Sequence, residues 1–469
     1  MQKKHFDLVV IGAGPGGYVA AIKGAQEGLR VALFEKQTLG GTCLNVGCIP
    51  TKTLIAGASL LHQMRHAEEF GIITGPISID YAKMKARKDS VVHKIQKSLE
   101  SLIQSNHVTI YKGHASFSAP YELKFIPQEG SGERITFDRA IIATGSEPID
   151  IPAFRADHQK ILNSSSALDR TKLPEKMAIV GGGYIGCEFA SLFHTLGVHV
   201  TLIEALPSIL PLQGPFLTDV MTKAFMKKGI HLWTETVVDA IDTTGLKTLV
   251  HCKNKEPLDV DIALVAIGRK AYTQGLGLEI LGVQTNVKGE ILVNAHMETN
   301  VPGIYAIGDV TGLYQLAHVA SHQAIVAASH AAGKASMMHY HAVPSVIFTN
   351  PEIAMVGLTP EQAEKEGYAI SVGKFPFQAL GKAIAANETE GFAQIICDKL
   401  SGKILGAQVI GHEASSLIGE MALAIANECT IDSVTDTIHA HPTLGEAWLE
   451  AALLAQGSPI HFPPKKRSL

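Results

Sequence analysis

The sequence predicts an α/β protein with two Rossmann-like dinucleotide-binding domains and a C-terminal α+β module. Three observations lead there. A strand, glycine turn, helix, second strand and acidic residue occur twice. In each copy the acid follows the first glycine by 23 positions, Gly12 to Glu35 and Gly181 to Glu204. The opening strands are continuous apolar runs, the pattern of parallel strands buried on both faces. From about Pro344 the chain changes to spaced strand-like runs and helical ones, as in an α+β layer. At 469 residues there is chain enough for about three domains. Expected boundaries divide the chain into 1–150, 151–272, 273–343 and 344–469.

Composition narrows the function class. Hydrophobic residues make up 46% and charged residues 18%, an ordinary globular balance with ample core. Forty basic against 44 acidic residues leave −4, so bulk charge selects neither nucleic acid nor an anionic membrane. No apolar run is read as long enough to span a bilayer. Met1 to Phe6 runs straight into a strand, so neither signal nor transit peptide is expected and a cytoplasmic location follows. The basic tail Lys465-Lys466-Arg467-Ser468-Leu469 is read as solvated and not as a peroxisomal address.

Taken in order, Asp7–Ile11 is the first strand. Gly12-Ala13-Gly14-Pro15-Gly16-Gly17 is G-x-G-x-x-G, and Gly12, Gly14 and Gly17 allow close backbone approach to a pyrophosphate at a helix N-terminus. The helix is expected to reach about Glu27. Val31–Phe34 is the next strand, and Glu35 can accept hydrogen bonds from ribose hydroxyls. This full context sets the motif apart from a bland glycine turn.

Gly40 to Lys52 follows, a small-residue segment with Cys43 and Cys48 five positions apart. In a reducing compartment, close cysteines are more often catalytic or metal-binding than structural. Cys187, Cys252, Cys397 and Cys429 are scattered singly, which supports zinc poorly. On an ideal helix, i and i+5 lie roughly 140° apart. A disulfide there needs a distorted first turn, for which Gly47 and Pro50 are suited. A Cys48 thiolate would sit near a helix N-terminus, which lowers thiol pKa. The residues alone leave two readings open, a redox pair or two buried structural thiols.

Leu54 to Gln104 reads as helical with a break around Gly71–Ile79. Its Lys83, Lys85, Arg87, Lys88, Lys94 and Lys97 are read as a solvated face. Strand-like pieces from Val108 lead to Ala140-Ile141-Ile142-Ala143-Thr144-Gly145-Ser146, and Pro148 and Pro152 mark a boundary. The second copy has strand Met177–Val180, glycines Gly181, Gly183 and Gly186, and strand Val200–Ile203 ending at Glu204. Ile262–Ile267 closes it at Gly268-Arg269, and a further strand reaches Gly308-Asp309. In the last domain Val346–Phe348, Ala393–Cys397 and Ile404–Ile410 read as strands. Glu413–Glu428 and Gly445–Ala455 read as helices. Between them lies His439-Ala440-His441-Pro442-Thr443-Leu444-Gly445-Glu446. Neither this His-x-His nor His339-Tyr340-His341 has partner ligands in sequence, so no metal site is expected.

Gly40 to Lys52 resembles, nearly letter for letter, the redox-disulfide motif of the flavoprotein disulfide reductases. The resemblance extends over the whole chain in the right order. It implies a Cys43–Cys48 redox disulfide, FAD in the first dinucleotide unit and a nicotinamide dinucleotide in the second. Beside Gly12, Gly14, Gly17 and Glu35, the FAD residues it implies are Gly41, Thr42, Lys52 and Ala115. Thr144 and Gly145 of an Ala-Thr-Gly loop, Asp309 at the ribityl chain, and Ala317 complete them. For the second nucleotide it implies Gly181, Gly183, Gly186, Glu188, Glu204, Val238 and Gly268, with Glu188 also pairing Lys52. By position alone Glu188 would be a surface carboxylate in mid-helix. Glu204 favours NAD, since a carboxylate pairs with a free 2′-hydroxyl and repels a 2′-phosphate, and no arginine follows in Ala205–Ser208. His441 matches the family's acid–base histidine and Glu446 the carboxylate that orients it. His439 receives no role.

The C-terminal module resembles the family's dimerisation domain, implying a homodimer. Within the family the features fit the lipoyl-linked branch, which oxidises protein-bound dihydrolipoamide with NAD and serves 2-oxo acid dehydrogenase acyltransferases or a glycine-cleavage lipoyl carrier. An NADP-linked reductase of another disulfide such as glutathione, and a flavoprotein of degenerate chemistry, are the alternatives. Members of the family usually continue after Gly-Arg and one residue with Pro-Asn, whereas this chain reads Lys270-Ala271-Tyr272-Thr273.

Overall fold

The structure is a computed structural model and describes residues 4–463, so the basic tail lies outside the described residues. The chain divides into two compact units, Met1–Leu173 with Ala266–His339, and Pro174–Val265 with Tyr340–Leu469.

The first unit opens with β1 (Lys4–Ile11), α1 (Pro15–Gln26), β2 (Val31–Glu35), α2 (Gly41–Val46), α3 (Cys48–Arg65) and α4 (Tyr81–Ser105). It continues with β3 (Thr109–Ala119), β4 (Glu122–Pro127) and β5 (Glu133–Ile142). β1 lies between β2 and β5 and is parallel to both. β3 extends the parallel sheet beyond β2, and the strand Ile304–Ala306 extends it beyond β5. Leu8, Val9, Val10, Leu33 and Ile141 are fully buried, as continuous apolar runs require. α1 packs on the helix Ala317–Ala331, and Gly16 lets the two backbones approach: a Cβ there would stand 3.3 Å from the Ala320 carbonyl oxygen.

Three local expectations change. β3 is one strand of 11 residues, because its first half pairs with β2 and its second half turns to β4. Lys88 departs from the solvated face: it is buried on α4 and pairs with Asp89 at 2.5 Å. Gly41–Arg65 is long and apolar enough to cross a bilayer, contrary to the sequence reading, yet it is broken at Gly47 into α2 and α3.

In the second unit, parallel strands lie in the order His231–Trp233, His199–Ile203, Lys176–Val180, Ile262–Val265. An antiparallel ribbon follows, Val238–Asp242, Thr248–Cys252 and Leu258–Val260. The C-terminal segment forms a five-stranded antiparallel sheet in the order Ser345–Ile347, Glu352–Gly357, Ile404–Gly411, Phe392–Asp398, Ile370–Pro376. The helices Ala414–Ala426 and Glu446–Gln456 pack on it. Trp448 is fully buried there, its indole donating to the Leu417 carbonyl at 3.1 Å. Two of these strands escaped the sequence reading. Ile370–Pro376 contains Gly373 and Pro376, which normally argue against a strand, but it is an edge strand where proline is tolerated. A Cβ on Gly373 would fall 1.8 Å from the Ala451 carbonyl oxygen, so the glycine lets helix Glu446–Gln456 seat against the strand.

Candidate active site

The turn between β1 and α1 is the first part of the site. Gly14 caps α1 with no side chain and Pro15 opens the helix, so the first-turn amides remain available. A Cβ on Gly17 would lie 1.8 Å from the Gly12 carbonyl oxygen. Glu35 is only 8% exposed at the end of β2. One carboxylate oxygen accepts from the Ala13 amide at 2.8 Å and the other from the Gln37 amide at 2.8 Å. An amide-lined cradle that no side chain fills, with a carboxylate at its edge, fits a dinucleotide.

The second unit repeats this geometry. Gly183 caps the helix Tyr184–Thr195, and a Cβ on Gly186 would lie 1.9 Å from the Gly181 carbonyl oxygen. Glu204 accepts from the Gly182 amide at 2.6 Å and from the Leu206 amide at 2.8 Å. Glu188 is 6% exposed and accepts from the Phe348 amide at 3.0 Å, so the surface carboxylate suggested by its mid-helix position does not exist. Val238 opens the antiparallel ribbon and is buried.

The cysteine pair lies against the first cradle. α2 begins at Gly41, whose φ is +58°, and a Cβ there would stand 2.6 Å from the Gly14 α-carbon. Only glycine permits this approach without clash and strain. Asn45 pins α2 by donating to the Leu39 and Gly41 carbonyls at 3.0 and 2.8 Å, and accepts from Gln96. At Gly47 the backbone leaves helical geometry (φ −143°, ψ −110°), which puts Cys43 on α2 and makes Cys48 the first residue of α3. The distortion expected in one helix is thus a break between two. Cys43 and Cys48 are half-buried, with their side chains within hydrogen-bond reach of each other. That hydrogen bond, then burial, pushes the Cys43 thiol far up, while Lys52 pulls the other way. Cys48 meets the positive end of the α3 dipole, which favours a thiolate.

His441 and Glu446 meet in the second unit. The imidazole Nδ1 donates to one Glu446 oxygen at 2.8 Å, and the Thr443 amide donates to the other at 2.9 Å. Burial works to raise the Glu446 carboxyl, but the Thr443 amide and His441 together hold it below its ordinary value. With Nδ1 carrying the proton, Nε2 presents a lone pair. The His441 side chain is 76% exposed. His439 contrasts with it: its side chain is 7% exposed and held by Glu420 and the Thr437 carbonyl, both at 3.0 Å. Among the described residues one further group of possible metal donors occurs, His5, Asp7 and Asp138, and it contains none of these residues.

Residues 6–324 match the family described as pyridine nucleotide-disulphide oxidoreductase, and residues 343–452 match its dimerisation domain. The chain belongs to the pyridine nucleotide-disulphide oxidoreductases. It is 50% identical over 462 residues to the dihydrolipoyl dehydrogenase of Chlamydia pneumoniae, covering 98% of this chain and 99% of that one. The dihydrolipoyl dehydrogenase of Bacillus subtilis (strain 168) is 40% identical, with 97% of each chain covered. Among solved structures, LpdA from Mycobacterium tuberculosis superposes with a TM-score of 0.91 at 29% identity, covering 96% of this chain and 99% of LpdA. The HOCl-induced flavoprotein disulfide reductase RclA from Escherichia coli gives 0.86 at 27%, covering 96% and 99%. As a pyridine nucleotide-disulphide oxidoreductase the chain is a flavoprotein enzyme with a redox disulfide pair that uses FAD and NAD, and its dimerisation domain supports a homodimer. The expected fold class, two Rossmann-type parts with a dimerisation domain, is borne out.

Sequence reasoning gave no role to Arg269, Ser146 or Tyr272, which tie the residues of this oxidoreductase's first cradle together. Arg269 donates to the Ser146 hydroxyl and carbonyl, both at 2.7 Å, and to the Thr42 hydroxyl at 3.4 Å. Ser146 donates to Asp309 at 2.5 Å. Burial raises the Asp309 carboxyl despite the opposing pull of Ser146 and Arg269. Thr144 donates to the Tyr272 carbonyl at 2.7 Å, and the Tyr272 amide donates to Gly145 at 2.9 Å. Ala115 is buried in β3, Ala317 opens the helix Ala317–Ala331, and Gly268 has φ +118°. The adjacent Gly268-Arg269 pair was the available signal, but its partners are too distant in sequence to name.

Proposed function

We propose that the enzyme oxidises protein-bound dihydrolipoamide to lipoamide and reduces NAD to NADH. The observation that carries this is the Cys43–Cys48 contact at the start of α3, against the first cradle, in a chain half identical to enzymes named for that reaction. His441 takes a proton from one substrate thiol through Nε2, while Glu446 holds Nδ1 and stabilises the imidazolium. The resulting thiolate attacks the Cys43 sulfur and breaks the Cys43–Cys48 bond, leaving Cys48 as a thiolate facing the α3 dipole. The second substrate thiol, deprotonated, attacks the substrate sulfur of that mixed disulfide, closing lipoamide and releasing Cys43. The dithiol loses two electrons and the cysteine pair gains them. FAD, when bound in the first cradle, carries that electron pair on to NAD. Lys52, one turn along α3, holds positive charge near the pair.

Gly12, Gly14, Gly17, Glu35, Gly41, Thr42, Lys52, Ala115, Thr144, Gly145, Asp309 and Ala317 are assigned to FAD. Gly181, Gly183, Gly186, Glu188, Glu204, Val238 and Gly268 are assigned to NAD. His441 of one protomer serves the disulfide of the other, which makes the dimer obligate. The segments 1–150, 151–272, 273–343 and 344–469 are the functional domains. Lipoyl-bearing acyltransferases of 2-oxo acid dehydrogenase complexes, or a glycine-cleavage carrier, are the partners, and the cytoplasm is the location. A glutathione-type, NADP-linked reaction is disfavoured by the Glu204 carboxylate.

Mixing the purified protein anaerobically with dihydrolipoamide and then NAD tests the reading. One NADH per dithiol is expected, with a Cys48→Ser variant slower by at least ~1,000-fold. Inertness toward dihydrolipoamide, together with NADPH-driven reduction of glutathione disulfide, would sink it.

A further inference from the structure

The segment that departs from the family pattern has a role in the structure. We propose that Tyr272 and Lys36 clamp the adenosine end of the first cradle and slow the release of FAD. The proposal rests on FAD occupying that cradle.

Lys36 directly follows Glu35, the carboxylate at the ribose position. Its ammonium stands 3.5 Å from the centre of the Tyr272 ring, well inside the reach of a cation–π contact of about 6 Å. The contact is anchored at both ends. On one side the Lys36 carbonyl accepts from the Gln128 side chain at 3.2 Å. On the other, Tyr272 is bonded through its amide to Gly145 and through its carbonyl to Thr144. The preceding residues Arg269–Ala271 pair as an antiparallel strand with Ser146–Pro148, so the ring is carried on ordered backbone.

Topology makes this a bridge. β1 lies between β2 and β5, and the glycine turn leaves its C-terminal end. Lys36 leaves β2 on one side of that end. Thr144 and Gly145 leave β5 on the other and hold Tyr272. The Lys36–Tyr272 contact therefore crosses the crevice outside the carboxyl ends of the strands, where a dinucleotide lies. His114, beside Ala115 on β3, feels the same ammonium: burial lowers its pKa and the Lys36 charge lowers it further. Thus Glu35, β3 and the Thr144 loop converge where the clamp stands.

The test measures FAD release from the diluted holoenzyme by the rise of flavin fluorescence, with circular dichroism and thermal unfolding to verify the fold. Tyr272→Asn and Lys36→Gln should each release FAD about three- to fivefold faster. Tyr272→Phe keeps the ring face and should stay within about twofold of wild type. The Lys36→Gln/Tyr272→Asn double variant should be no faster than Tyr272→Asn alone, since both changes remove one contact. Release at the wild-type rate from Tyr272→Asn, a Tyr272→Phe as fast as Tyr272→Asn, or fully additive effects would each overturn the clamp. A wild-type protein that purifies folded but without flavin, and cannot be reconstituted, would overturn the cofactor assignment instead.

Discussion

A Cβ on Gly14, which caps α1, would meet the α-carbon of Gly41 at 3.9 Å, and one on Gly41 would stand 2.6 Å from the Gly14 α-carbon in return. At Gly183, the equivalent cap in the second unit, no atom lies within 4 Å of where a Cβ would stand. The two turns are otherwise alike. Each has a glutamate 23 residues on that accepts from the amide after the first glycine and from the amide two residues beyond itself. Each has a glycine at the start of its helix that a methyl group would drive into the turn. What differs is the surroundings. The first turn is pressed by α2 and, at Gly16, by Ile307 and the Ala320 carbonyl, while the second carries Ile185 there and an exposed Tyr184. On the proposed assignment of FAD to the first cradle and NAD to the second, the more crowded turn is the one that holds the nucleotide expected to stay through many turnovers.

The largest effect tests whether the cradles are separable. Gly17→Val should yield no folded protein with flavin, whereas Gly186→Val should keep flavin and lose at least ~100-fold in NAD reduction. Flavin content and NAD kinetics check this, and equal flavin loss in both would abolish the distinction. Next come the paired glutamates. Glu35→Ala strands two amides at a buried site and should speed FAD release by about tenfold or more, whereas Glu204→Ala should raise KM for NAD by about tenfold with flavin retained. A smaller effect concerns Asp309, which exists only on the enclosed side. Burial holds its carboxyl above the ordinary range. A raised folded-state pKa favours folding below the unfolded value, and that benefit is lost as pH rises through the folded one. In the FAD-free protein, Asp309→Asn should therefore stabilise against urea at about pH 8 and give no gain at about pH 4. An equal gain at both would show that Asp309 does not titrate on unfolding.

Much of this chemistry was legible because it is local. The glycine turns and their glutamates lie within one strand–helix–strand segment, and Cys43 and Cys48 within a single break. His441 and Glu446 are five positions apart, with the Thr443 amide between them. Over such spans backbone geometry leaves few arrangements, so residue types at fixed spacing already specify which atoms meet. Arg269 reaches Thr42 across 227 positions, Ser146 reaches Asp309 across 163, and Glu188 meets the Phe348 amide across 160. No periodicity in the chain pairs them. They meet because their strands and helices pack side by side, and a carboxylate or guanidinium drawn out of water by that packing must find a partner or forfeit its hydration. The edge strand Ile370–Pro376 was hidden for a related reason: the glycine and proline that argue against a strand are tolerated only where a helix seats on one face and no neighbour needs the missing amide. Nucleotide class was therefore legible from residues and spacing, and the redox pair and acid–base group from the family resemblance their motifs carry, while the packing around the first glycine turn and the Lys36–Tyr272 bridge arose only when distant segments came together.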